Sequence, residues 1–268
     1  MDCGLRDILG VPVRPLTMRE TVALATRAIE RREPLLFGVV NAAKIVNMRA
    51  DAELRAAVLA ANVIVADGMS VVWAARLLGR PLPERVAGID LMTELLAEGD
   101  RRRWRVFLLG ATQEVLDEVR RRVAVQYPKV VIAGSRNGYF AARDDETVAA
   151  EIAATRADVL FAAMSSPKKE LFLARWQSRM GIPVCHGVGG AFDVLAGVVR
   201  RAPRVWQALG CEWLYRLLQE PGRLWKRYLV TNARFTGLVL RAWLASWFGR
   251  GLPMPGAPEV GRPAAHKH

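Results

Sequence analysis

Six short apolar runs, each too short for a helix, punctuate residues 35–188, and helical periodicity fills most of the gaps between them. Leu35–Val40 stops at Asn41, and residues 62–66 stop at Asp67-Gly68. Four more follow: residues 105–109, 130–134, 158–164 and 182–188. Apolar residues recur at helical spacing over 13–32, 42–61, 69–79, 111–127, 144–155 and 166–180. A run apolar on both of its faces reads as a strand buried on both sides. Strands alternating with helices imply parallel pairing under helical layers. The spacing therefore predicts an α/β domain over residues 1–200, a Rossmann-like, mostly parallel sheet flanked by helices.

The pattern changes near residue 200. Arg200 to Arg250 carries ten basic residues, two acidic ones and five of the eight tryptophans. We read residues 201–250 as a helical, membrane-proximal appendage and 251–268, rich in Pro and Gly, as a disordered tail. Arg223, Arg227, Arg234 and Arg241 form one stripe on a helix, flanked by Leu224, Tyr228, Phe235, Leu238 and Val239. Such a face suits an anionic membrane surface or a diphosphate; a solvated face on a packed helix is the plainer alternative.

Lys and Arg total 39 against 26 acids, a formal charge of +13, which favours anionic partners without choosing among them. Basic residues concentrated in a Trp-rich helix argue against nucleic acid, which is read by other element types. Cys3, Cys185 and Cys211 are too widely spaced for a metal cluster and fit a reducing cytosol. No apolar run approaches the ~20 residues of a membrane span. The expectation is a cytoplasmic protein, peripheral on the inner face of the cell membrane.

In open parallel sheets, ligands gather beyond the carboxyl ends of the strands. Asn41, Asp67, Ser165–Glu170 and Gly187–Asp193 all fall there. A carboxylate beside glycine at such an end suits a general base; an Asp-Gly pair is also an ordinary turn former or helix cap. Gly110, at a strand–loop–helix junction, is a weak phosphate signal. His186 has no partner ligands nearby in sequence and reads as a packed residue.

Seven segments, in order, carry a resemblance: VVNAAKIVNMRAD, ADGMSVVWAARLLGRPLPERVAGIDL, VFLLGATQEVLDE, YPKVVIAGSRNGYF, SSPKKELF, GVGGAFDVLAGVVRRAP and CEWLYRLLQEPGRLWKRY. Together they make the chain similar to the WecG/TagA/CpsF glycosyltransferases. The resemblance implies a Rossmann-like core with a helical appendage completing the active site. It implies inverting, metal-independent transfer from a UDP-sugar to a polyprenyl-diphosphate-linked acceptor in surface polysaccharide synthesis, with no cofactor. Asp67 is then the base and Asn41 its strand-end neighbour. Arg85, Asp193, Tyr139 and Gly110 fall on the donor side, and Arg216, Arg223 and Arg227 close over the diphosphate.

Two departures stand out. Val39 replaces the usual Thr, and Lys169 the usual Gln of the GSPKQE segment. A cation at Lys169 suggests a carboxylate on the donor, as in UDP-glucuronate; a neutral donor such as UDP-glucose or UDP-N-acetylmannosamine is the alternative. A noncatalytic scaffold or a basic nucleic-acid binder are the readings from other classes. Self-association is left open.

Overall fold

The structure, a computed structural model, describes residues 4–247 except 209 and 220; the side chains at 204, 208, 216, 221, 223, 224 and 226–228 fall outside the description. Two three-residue strands, β1 (Arg6–Ile8) and β2 (Val11–Val13), pair antiparallel as a hairpin. Helix α1 (Met18–Arg31) starts at Thr17 with a reciprocal capping box to Glu20. Strand β3 (Leu35–Val40) follows, then α2 (Ala42–Ala50) and α3 (Ala52–Leu59). The helix expected over 42–61 is broken at Asp51, whose side chain accepts from the Leu54 amide at 2.8 Å and starts a second helix.

Next come β4 (Val63–Ala66), α4 (Met69–Leu77), α5 (Gly88–Arg102) and β5 (Arg105–Gly110). The third quarter contributes α6 (Gln113–Gln126), β6 (Val131–Arg136), α7 (Asp145–Ala154) and β7 (Val159–Ala163). It is followed by α8 (Lys168–Met180), β8 (Val184–Gly187) and α9 (Ala191–Leu195). The chain ends in α10 (Arg204–Ala208), α11 (Glu212–Gln219) and the 27-residue α12 (Pro221–Trp247). Pro221 opens α12, where the first helical turn needs no proline N–H.

Six strands form one parallel sheet in the order β4-β3-β8-β7-β5-β6. Every residue of β7 and β8 is buried, as continuous apolar runs require of central strands. One apolar layer packs α1, α5 and α6 on the sheet, and a second packs α8 with α7 on the opposite face. A third cluster gathers the hairpin, α2, α3 and α4, and takes in Phe235 and Val239 of α12. Both residues are under a tenth exposed. These apolar neighbours of the arginine stripe are therefore core, and the packing alternative holds for that half of the helix. No helix among the described residues is long and apolar enough to cross a membrane.

Candidate active site

The carboxyl edge of β3, β4 and β8 assembles the densest group of functional side chains. Val40 pairs with Ala66, so Asn41 and Asp67 leave the sheet side by side. The Asn41 side chain accepts from the Lys44 amide at 3.0 Å and caps α2. The close approach of the strands leaves little room at Gly68, where a Cβ would lie 3.3 Å from that of Asn41.

Asp67 does not cap the helix that follows it, since α4 begins at Gly68 with no side-chain cap. Its Oδ1 instead accepts from the Gly88 amide at 2.9 Å, filling an orphan donor in the first turn of α5. Among the described residues no hydrogen bond reaches Oδ2. One carboxylate oxygen is thus anchored and the other is left for a substrate proton. The carbonyl of the same Gly88 accepts from His186 Nε2 at 2.9 Å. His186 is fully buried between Phe37 and Phe161, and burial pushes its imidazole down to about 4. It is a packed, neutral histidine, as its isolation in sequence suggested.

Beside this pair lies a charge cluster that sequence reasoning identified only in part. Lys44 Nζ and Lys169 Nζ approach Glu170 Oε1 at 2.7 and 2.8 Å, all three side chains being nearly enclosed. Burial alone would raise the Glu170 carboxyl, but the two ammonium groups outweigh it and hold it below the usual range. Burial, with Lys44 beside it, pushes the Lys169 ammonium down. The Lys169 stem lies over β8, where a Cβ on Gly187 would stand 3.3 Å from it. Lys169 therefore pairs with its own neighbour in sequence, Glu170, but shares that one carboxylate with Lys44, so the cluster holds two ammonium groups against one carboxylate. The signal for Lys44 and Glu170 was present, since α2 and α8 each begin at a strand end, where first-turn residues face the crevice.

Arg85 sits in the loop between α4 and α5, 12% exposed. Its guanidinium meets Glu212 of α11 at 2.7 Å and Asp90 of α5 at 3.6 Å. Neither acid was singled out from sequence: Glu212 is remote in the chain, and Asp90, though near, pairs with a loop residue at no helical spacing. Arg216 lies in α11, and Arg223 and Arg227 in α12; their side chains are outside the described residues, as is the tail after residue 247.

Two of the remaining candidates, Gly110 and Tyr139, form a separate group at the β5 end of the edge. Gly110 has φ +129°, and a Cβ there would stand 2.4 Å from the Ala163 carbonyl oxygen, so only glycine fits. Gly138 packs against Gly110, and Lys168 fastens the loop by donating to the carbonyls of Gly138 and Phe140 at 2.9 and 2.7 Å. Tyr139, at the loop's tip, is 78% exposed. Asp193 belongs to α9 after β8, and its carbonyl accepts from the Val198 and Val199 amides. Sequence position put Gly110 and Asp193 at strand ends, and Tyr139 came from the resemblance alone. The structure splits the candidates into an Asn41–Asp67–Lys169 group and a Gly110–Tyr139 group, on either side of β7.

A parallel sheet with an anchored carboxylate, clustered cations and a glycine-lined strand end at its carboxyl edge defines an α/β protein built to bind a polar, anionic ligand there. Residues 6–248 match the glycosyl transferase WecG/TagA/CpsF family, and the chain belongs to it. Among curated relatives it is similar to the N-acetylglucosaminyldiphosphoundecaprenol N-acetyl-β-D-mannosaminyltransferase of Bacillus spizizenii (strain ATCC 23059 / NRRL B-14472 / W23). The two are 41% identical over 169 residues, which cover 63% of this chain and 65% of that protein.

Proposed function

We propose that this protein transfers an N-acetylhexosamine, of the N-acetylmannosamine type, from a UDP-sugar to a polyprenyl-diphosphate-linked N-acetylglucosamine. The setting is surface-polysaccharide assembly at the cytoplasmic face of the membrane. The carrying observation is Asp67: Oδ1 pinned by the Gly88 amide, Oδ2 without a hydrogen bond among the described residues. In the reaction the acceptor hydroxyl oxygen attacks the anomeric carbon and its proton passes to Oδ2. The anomeric carbon–oxygen bond to UDP breaks, UDP leaves with the electron pair, and the configuration inverts. With no cofactor invoked, the growing negative charge on UDP is met by cations and backbone amides. Arg216, Arg223 and Arg227 are the candidates for that role from the appendage, with Asn41 orienting the acceptor side and Gly110, Tyr139 and Asp193 on the nucleotide side. The similarity to the Bacillus enzyme favours a neutral donor of the N-acetylmannosamine type over the UDP-glucuronate that Lys169 suggested.

The test is release of UDP by the full chain with a polyprenyl-diphosphate-N-acetylglucosamine acceptor and a panel of UDP-sugars. UDP-N-acetylmannosamine is expected to be the best donor. Asp67→Asn should lower kcat by about 100-fold or more, the usual contribution of a positioned base. Acceptor-dependent release that survives the substitution at full rate would remove Asp67 from the mechanism.

A further inference from the structure

The charges that tie the C-terminal helices to the α/β layer converge on one core pair. Arg85 bridges Asp90 and Glu212, and Arg201 donates to the other oxygen of Asp90. Arg85 and Asp90 belong to the core, whereas Arg201 and Glu212 flank α10 on either side. The segment 201–212 is therefore gripped at both ends by the same two residues. Between those ends the turn at Gly210, with φ +67°, lies on α4: a Cβ there would meet Met69 Cβ at 2.7 Å and the Trp73 ring at 2.8 Å. Met69 is two residues beyond Asp67, so the turn rests against the rim of the catalytic edge. None of the four charged side chains is more than a third exposed, which lifts their pairing above the small value of a surface ion pair.

The grip also reaches the base. Asp90 stands in the first turn of α5, and Gly88 of that turn holds Asp67 through its amide and His186 through its carbonyl. We propose that Arg85, Asp90, Arg201 and Glu212 form a clamp that seats α10 and α11 beside Asp67. Glu212 is its positioning residue, acting on the base through Arg85 and the first turn of α5. The effect on turnover rests on the function proposed above; the clamp itself does not.

Hydrogen exchange on the full chain tests the clamp, comparing wild type with Glu212→Gln, Arg201→Gln and Glu212→Asp. Both Gln variants should speed exchange over residues 204–219 by about tenfold while β4 and β8 keep their protection. Glu212→Asp, which keeps the charge, should restore most of the protection. In the transfer assay Glu212→Gln should lower kcat/KM by about tenfold, and Glu212→Asp should recover it. Unchanged exchange in both Gln variants would overturn the clamp. Faster exchange with unaltered turnover would overturn its coupling to Asp67. A wild type with no transferase activity would instead refute the proposed function, and the exchange data would still decide the clamp.

Discussion

At the residue scale, one peptide unit does two jobs. The N–H of Gly88 holds Asp67 and its C=O holds His186, so helix α5 is registered against β4 and β8 by a single glycine. The arrangement needs an N–H at Nε2. Burial keeps the ring neutral, against the upward pull of the Gly88 carbonyl and Asp67, while Lys44 and Lys169 press its value further down. With the folded value at about 4 and the free value at 6.5, the unfolded chain takes up a proton between those limits that the native state refuses. Stability from this residue is complete above pH 6.5 and is lost as the pH falls toward 4, on the order of 3 kcal/mol in all. Urea unfolding at pH 7 and pH 4.5 should show a smaller acid loss for His186→Gln than for wild type. Equal losses would mean that His186 is not the titrating group.

At the scale of elements, α12 is the instructive case. Its spacing marked a stripe of arginines with apolar flanks, and a pattern of that kind is written the same way for a membrane and for a protein core. Phe235 and Val239 resolve it toward the core, packed with Ile45, Met48 and Val71. Phe235→Ala should cost about 3 kcal/mol in denaturant unfolding, as for other buried aromatic truncations. A loss under about 0.5 kcal/mol, typical of surface sites, would contradict the burial. The six parallel strands were legible because each contains a short apolar run between stretches of helical period, although β6 runs on into Ser135 and Arg136 and β8 carries His186. The β1–β2 hairpin was not, since three residues are too few for a period to register. Nor was α5, which starts at Ala87-Gly88 without a side-chain cap and takes its cap from Asp67 on another strand.

At the scale of the molecule, the legible part of the site was the part set by topology. Asn41, Asp67 and Lys169 could be placed at one edge because parallel strands all end there. The Glu212–Arg85 and Lys44–Glu170 pairings join residues remote in the chain, and no local pattern encodes them. Charge and exposure bear on where the molecule works. The chain carries +13, and α11 and α12 expose Trp213, Leu218, Trp225, Leu229, Val230 and Trp247. Such a surface should bring the protein to vesicles containing anionic lipid, with binding that weakens steeply between about 50 and 300 mM salt. Flotation assays check this, and equal recovery on purely zwitterionic vesicles would contradict it.

The strand order carries one more consequence. β8 is the last of the described strands to be synthesised and one of the two central strands of the sheet, lying between β3 and β7. Until residue 187 has left the ribosome, the nascent chain holds two half-sheets, β4-β3 and β7-β5-β6, each with a bare apolar edge where the keystone will enter. Bare edges of this kind are the templates on which chains join one another. The polypeptide is thus most exposed to aggregation just before β8 emerges, and insertion of four residues, Val-Cys-His-Gly, ends that exposure and joins the two halves of the catalytic edge in one event.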